Sequence, residues 1–327
     1  MRLPSLTEIR AAQEIVYRHM RPTAQYSWPL LCERLGTEAW VKHENHTPVG
    51  AFKIRGALVY MEWLQRNQPG LSGVVAATRG NHGQGVASAA KAFGLKAKIV
   101  VPIGNSIEKN RAMRAQGAEL IEHGHDFQAA LDHARAIAAD EGLVLVESFH
   151  ERLVMGTATY AMDLFEGAPE LDALYVPIGL GSSICGAAAA RNALGRKTAI
   201  IGVAAAESPS YARSFQQRRV VEAPAQAQIA DGLACRVPNQ EALEIILAEV
   251  ERVIEVPEAE IKQAMRAYYE DTHNLAEGAG AAALAGAMRE RGVLRGRRIG
   301  VVLTGSNVDR RLYATVLNDS SSEARKH

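Results

Sequence analysis

The sequence predicts an α/β protein built on mainly parallel sheets flanked by helices. Two observations predict it. Short apolar runs recur along the chain, each followed by a turn rich in small or polar residues and then by a stretch with helical spacing. The chain also has 327 residues, 47% of them hydrophobic, enough for a sizeable core in two domains or in one large α/β domain.

Taken in order, Ser5 or Thr7 can cap a first helix in which Ile9, Ala12 and Val16 share a face. Pro22 and the polar residues after it end that helix. Residues 39–42 read as a short strand and 44–48 as a loop. A helix follows over 51–63, with Lys53 in its first turn at the mouth of a cleft. Residues 67–70 make a turn and 73–78 a buried strand. That strand feeds into Arg79-Gly80-Asn81-His82-Gly83-Gln84-Gly85 and a helix carrying Val86, Ala89, Ala90 and Phe93, closed by Gly94. Residues 97–102 are the next strand, and Asn105 or Ser106 caps a helix that stops near Gly117. Strands at 118–121 and 143–146 enclose a helix over 131–139.

The second half repeats the pattern. A strand over 173–178 runs into Gly179-Leu180-Gly181-Ser182-Ser183 and a small-residue helix over 184–194. A strand over 199–203 and a polar surface loop over 218–228 come next. Ile261, Ala264, Met265 and Tyr268 mark an amphipathic helix, and 278–288 a helix rich in alanine and glycine. A last buried strand, 299–304, ends in Gly305-Ser306-Asn307, and the polar tail from Asp319 is expected to fray.

Composition narrows the partners. Net charge is +1 with a pI near 7.8, and no basic run is interleaved with aromatics, so nucleic acid is not expected. No apolar run approaches the ~18 residues a transmembrane helix requires. The first residues, Met1-Arg2-Leu3-Pro4-Ser5, lack the apolar core of a signal peptide. Cys32, Cys185 and Cys235 are odd in number and far apart, which fits a reduced, cytoplasmic chain better than a disulfide framework.

Several stretches carry chemistry. Lys53 lies between Phe52 and Ile54, close to Gly50, Gly56 and Ala57. An ammonium in such company either snorkels to solvent or has a lowered pKa, the state in which an amine attacks carbonyls. The 179–183 loop joins a strand to a helix, and a phosphate is the natural guest of free N–H groups at a helix start. The next glycine is Gly186, so the spacing is not the dinucleotide fingerprint, and no Gly-Lys-Ser/Thr of a Walker loop follows. Residues 78–82 form a second such turn: Asn81 can donate to a phenolate-like oxygen and Thr78 can hold a carboxylate, while His82 alone reads best as satisfied by local backbone. Thr304 ends a buried strand at the carboxyl edge, where ligands collect; its hydroxyl could bond a neutral ring nitrogen or be an ordinary strand end. Neither His123-Gly124-His125 nor His43-Glu44-Asn45-His46 has usable metal spacing, so no metal is expected.

Together these pieces resemble one family, the serine/threonine dehydratases of the fold-type II pyridoxal phosphate enzymes, which include threonine dehydratase, serine racemase and phenylserine dehydratase. The resemblance runs from about Arg21 to about Asp309. It rests on five motifs in register: Pro48 to Ala57 around Lys53, Gly80-Asn81-His82-Gly83-Gln84-Gly85, Val176 to Ser182, Ala230-Asp231-Gly232, and Thr304-Gly305-Ser306-Asn307-Val308-Asp309. It implies the tryptophan synthase β-like fold. A large cofactor-binding domain would comprise 1–70 and 152–318, and a small domain, 71–151, would carry the substrate loop. It also implies roles. Lys53 would anchor pyridoxal 5'-phosphate covalently, Phe52 would pack near its ring, and Asn81 would bond its 3-hydroxyl. Gly179, Leu180, Gly181, Ser182 and Ser183 would cradle the phosphate, and Thr304 would meet the pyridine nitrogen with Glu277 nearby. Thr78, Arg79, Gly80, Asn81 and His82 would hold the substrate carboxylate. The implied reaction is β-elimination from a β-hydroxy-α-amino acid of the serine or threonine type, or a bulkier one such as phenylserine or hydroxyaspartate, to a 2-oxo acid and ammonia. Family habit implies a homodimer, with a monomer also open.

Three departures bear on this expectation. Leu180 and Ser182 interrupt a phosphate loop that is usually glycine-rich throughout, though backbone N–H groups remain. Arg79 stands where racemising relatives carry a serine as second acid–base group, and arginine stays protonated, which disfavours racemisation. It could instead attract an acidic or aromatic β-substituent, or merely face solvent. Glu207 matches an acid of metal-binding relatives, but Arg213 stands where their aspartate would be. A racemase on the same scaffold is the main alternative; a nucleotide-binding oxidoreductase or a non-catalytic binding protein fits less well.

Overall fold

Ser5 caps the first helix, α1 (Leu6–Tyr17), in a reciprocal capping box with Glu8. The computed structural model describes residues 1–319. After α1 the chain forms β1 (Gln25–Ser27), α2 (Pro29–Leu35), β2 (Glu38–His43) and α3 (Lys53–Asn67). It then alternates strictly through β3 (Gly73–Ala77), α4 (Asn81–Ala92), β4 (Lys96–Val101), α5 (Ile107–Ala115), β5 (Glu119–Glu122), α6 (Phe127–Glu141) and β6 (Val144–Leu145). The rest comprises α7 (Glu151–Gly167), β7 (Ala173–Pro177), α8 (Ser182–Ala193), β8 (Ala199–Ala205), α9 (Ser210–Gln217) and α10 (Gln240–Glu249). It closes with β9 (Arg252–Val256), α11 (Glu258–Thr272), α12 (Gly278–Arg289), β10 (Arg298–Leu303) and α13 (Arg310–Asn318).

Two sheets result. One has six strands in the order β1-β2-β10-β7-β8-β9, parallel except where β1 meets β2. The other has four parallel strands in the order β5-β4-β3-β6. Every residue of β3 and of β7 is buried, as parallel strands covered on both faces must be. In the larger sheet, α2, α11 and α12 pack on one face around Tyr175, Val203 and Val301, and α7, α8 and α10 on the other around Leu174, Ile200 and Val302. The smaller sheet carries α3 and α4 on one face and α6 on the other.

The strands and helices read in the sequence are observed, with β1, α2, α9, α10, β9 and α13 left unassigned by it, and three further differences have physical causes. First, α3 starts at Lys53 rather than near Ala51. Ala51 instead bridges to Gly305, and the Phe52 N–H donates to Thr304 O at 3.0 Å. Second, β6 is two residues long, paired only to Val74 and Val75. Third, the sequence reading assigns no element to α7, which is nearly all buried and so lacks the polar face that betrays a surface helix. The tail expected to fray lies, from residue 320 on, outside the described residues.

Helix α7 positions α3. Gly156 of α7 faces Gly56 of α3 so closely that a Cβ on Gly156 would lie 2.3 Å from Arg55 O and 2.6 Å from Gly56 Cα. Beside this crossing Arg55 is fully buried and donates to both oxygens of Glu44, at 2.7 and 3.0 Å. Thr23, Thr159 and Tyr17 complete its shell, while buried Lys42 and half-buried Asp163 add a second pair of opposite charge at 3.6 Å. Burial alone would lower the Arg55 pKa, but Glu44, Tyr17 and Asp163 hold it above the usual value. Gly156→Ala is expected to cost about 1–3 kcal/mol, because only backbone stands where the methyl would go. An unchanged urea midpoint would contradict the close crossing.

Candidate active site

Four helices that meet at the junction of the two sheets, α3, α4, α8 and α12, have no side-chain cap on their first turn. Their free N–H groups and positive dipole ends make this junction a place for anions. Lys53 opens α3. Its Nζ lies 5.0 Å from the Phe52 ring centroid and, among the described residues, has no hydrogen-bond or ion-pair partner. Part of the side chain stays open, yet loss of hydration lowers its pKa to about 8. Phe52 is itself buried edge-on against Tyr160.

Asn81 opens α4 and joins it to α12. Its Nδ2 donates to Glu277 Oε1 at 2.6 Å, and its Oδ1 accepts from Asn307 Nδ2 at 2.8 Å. Gly85 lets α4 approach α3: a Cβ there would sit 3.0 Å from the Lys53 carbonyl carbon. Thr78 is buried and its hydroxyl accepts from Gly80 N–H at 3.0 Å, which tightens the turn before α4. His82 is buried with Nε2 3.3 Å from Val146 O, so backbone just after β6, 64 residues away, meets it rather than the local backbone expected; burial first, then the nearby Lys53 charge, lowers its pKa to about 4. Arg79 is exposed, with no hydrogen bond or ion pair among the described residues.

Residues 179–181 precede α8, and Ser182 and Ser183, read in the sequence as loop, are its first two residues. Gly181 is left-handed at φ 101°, a conformation glycine adopts freely, and a Cβ on Gly179 would come 2.6 Å from Gly232 O. Leu180 leaves its carbonyl to the Tyr211 hydroxyl at 3.0 Å. Ser182 and Ser183 are buried; Ser182 O accepts from Thr157 and Ser183 Oγ lies 2.8 Å from Tyr160 OH. The backbone N–H groups at the head of α8 are thereby left facing the junction. Thr304, expected to end the last strand, directly follows β10, with Oγ1 3.4 Å from Ala279 O.

Glu277 is buried, and its Oε2 has no hydrogen-bond partner. Burial first, then Asp231, push its pKa up to about 7, against the pull of Lys109 and Asn81. Sequence reasoning missed Lys109. Its Nζ pairs with Asp231 Oδ2 at 2.6 Å, and its chain passes 2.9 Å from where a Gly80 Cβ would be. It therefore ties the 78–82 turn to the loop behind Gly179. Burial opposes that charge, but Asp231, Glu277 and Asp309 hold the Lys109 pKa above its usual value. A lone lysine on an amphipathic helix gives no signal of this in the sequence.

The histidines read as non-ligands behave as side chains of the scaffold. His123 stacks on His133, and His43 accepts from Trp28 Nε1 at 3.0 Å. Among the described residues, no three His, Cys, Asp or Glu side chains form a metal-binding group. Both oxygens of Glu207 accept from Glu258 N–H, at 3.1 and 3.3 Å, and Arg213 is exposed.

A prediction follows from Glu277. The folded cofactor-free chain keeps this proton to about pH 7, whereas the ordinary value is 4.5. Between those values the folded form binds more proton than the unfolded form, so stability falls as pH rises. Glu277→Gln is expected to flatten that fall. Equal slopes of urea midpoint against pH in the two proteins would contradict the assignment.

Comparison with known proteins agrees with this geometry. The family model described as pyridoxal-phosphate dependent enzyme matches residues 16–305. An L-threonine ammonia-lyase of Thermotoga maritima is 32% identical, over 96% of this chain and 78% of its own length. An L-threo-3-hydroxyaspartate ammonia-lyase of Saccharomyces cerevisiae is 30% identical, over 97% of this chain and 98% of its own. The solved structure of maize serine racemase superposes with a TM-score of 0.90 at 27% identity, covering 96% of this chain and 97% of the other. The family match across nearly the whole fold, with relatives at 30% identity or more over almost the full chain, places the chain in the pyridoxal-phosphate dependent enzyme family.

Proposed function

We propose that the chain catalyses β-elimination from a β-hydroxy-α-amino acid, releasing a 2-oxo acid and ammonia, with Lys53 as anchor and base. The observation that carries this reading is the Lys53 amine, lowered to about 8 and without a protein partner, beside a turn with free N–H groups. The residues present fit pyridoxal 5'-phosphate. A buried carboxylate oxygen of Glu277 lacks a partner, and α8 offers uncapped N–H groups behind a left-handed glycine. The cofactor, when bound, supplies the electron sink for negative charge developing at the substrate's α-carbon.

The chain's own residues divide the remaining work. The N–H groups from Gly179 to Ser183 hold the phosphate, with Leu180, Gly181 and Ser182 shaping the loop. Phe52 packs beside the ring, and Asn81 donates towards its 3-hydroxyl. Thr304 would meet the ring nitrogen with a neutral hydroxyl, which, unlike a carboxylate, would not hold a proton on it. Thr78, Gly80, Asn81 and His82 orient the substrate carboxylate at the head of α4, with Arg79 at the outer edge. Lys53, partly neutral near neutral pH, takes the α-proton on Nζ. The β-hydroxyl departs as water with the proton that Nζ took from the α-carbon, and the released unsaturated amine takes up one water to give the 2-oxo acid and ammonia.

Elimination is favoured over racemisation because Arg79, exposed and cationic, stands where racemising relatives carry a serine. The sheet of β3 to β6, about 71–151, would act as the small substrate-side domain against a larger one of 1–70 and 152–318. We further infer a homodimer in a reducing, cytoplasmic setting; three free cysteines support the compartment. No helix of the described chain is long and apolar enough to cross a membrane.

The test is 2-oxo acid formation from serine, threonine, phenylserine and hydroxyaspartate. Lys53→Ala is expected to lose about 10²–10⁴-fold in turnover. Parent-like turnover by that variant, or conversion of one enantiomer to its mirror image without oxo acid, would overturn the proposal.

A further inference from the structure

One carboxylate outside the site takes three consecutive backbone donors. Glu258 Oε1 accepts from the N–H groups of Gln228, Ile229 and Ala230, at 2.7, 2.6 and 3.0 Å. Glu258 opens α11, and the carboxylate of Glu207 fixes its own N–H. Residues 220–227, which lead into the gripped segment, have no helix or strand of their own. Ser208 and the Glu207 carbonyl hold 226 and 227. Glu258 takes over for the next three residues.

What those residues lead to gives the grip its meaning. Ile229 O lies 2.1 Å from where a Cβ on Gly278 would be, at the head of α12 beside Glu277. Gly232 O lies 2.6 Å from where a Cβ on Gly179 would be. Between them Asp231 takes the Lys109 ion pair. The segment is thus wedged between two helix starts of the site, backbone against backbone, with no side chain in between to absorb a shift.

We propose that Glu258 is a positioning residue for the cofactor's phosphate. By holding 228–230 it seats Gly232 against Gly179, and so sets the shape of the 179–183 cradle. The inference rests on reading that loop as the phosphate site. A carboxylate is suited to the task because its bonds to backbone N–H are charge-assisted and roughly twice as strong as neutral ones.

The test separates phosphate binding from general stability. Spectroscopic titration of the full chain with pyridoxal phosphate and with pyridoxal, which lacks the phosphate, gives two dissociation constants. In Glu258→Ala the phosphate form is expected to bind about tenfold or more weaker, while pyridoxal shifts by less than about threefold. Glu258→Gln keeps an acceptor oxygen and is expected to recover most of the loss. Should the alanine variant not fold, the glutamine variant and Glu258→Asp read the same ratio, with an intermediate loss expected for each. Equal weakening for both ligands, or none for either, would overturn the role of Glu258. A parent protein with no preference for the phosphorylated form would instead overturn the phosphate reading of the loop.

Discussion

The site depends on how closely three backbones approach one another. Gly56 and Gly156 bring α3 and α7 into contact, and Gly85 brings α4 onto the Lys53 peptide. A methyl at any of these positions would meet main chain at 3.0 Å or less, and main chain cannot rotate out of the way as a side chain can. The position of the lysine is therefore set by packing density around its backbone. Its side chain remains without a protein partner for the same reason, since those glycines bring no polar groups to it. An amine held in place yet unpaired is what covalent attachment to a carbonyl requires.

The four uncapped helix starts supply the electrostatic counterpart. Side-chain caps from Ser, Asp, His or Asn close α1, α5, α6, α7 and α10, while α2, α9, α11 and α13 lack one as the site helices do. The helices α3, α4, α8 and α12 expose their first N–H groups at the junction between the sheets. An uncapped start costs about 1 kcal/mol relative to a good cap, a cost that a bound anion can offset. Glu277 sits in this positive field with one oxygen on Asn81 and the other unpartnered.

Much of this was legible in the sequence, for reasons that differ by residue. The strand-to-helix alternation was visible because parallel strands read as continuous apolar runs. The turns at 78–82 and 179–183 were visible because small residues cluster where strands hand over to helices. Helix α7 was not, because a helix buried almost all round shows no stripe. The short β1 and the largely half-buried β9 were also unassigned, each too weakly patterned to stand apart from loop. Lys109, Asp231 and Glu258 act across long sequence separations, 122 residues in the first pair. Nothing local marks Lys109 or Glu258 out from surface charges, and Asp231 stood out only as part of the Ala230-Asp231-Gly232 motif, with no role attached to it.

The buried group of Lys42, Glu44, Arg55 and Asp163 carries two charges of each sign. Removing any one leaves an uncompensated charge out of water, a loss of about 3–5 kcal/mol, although an apolar replacement of a whole pair can be neutral. Descendants of this chain must therefore alter these positions in matched steps or retain them. That ties the ancestry of the β2 and α7 residues to that of the α3 residue, two places from the lysine, that they surround.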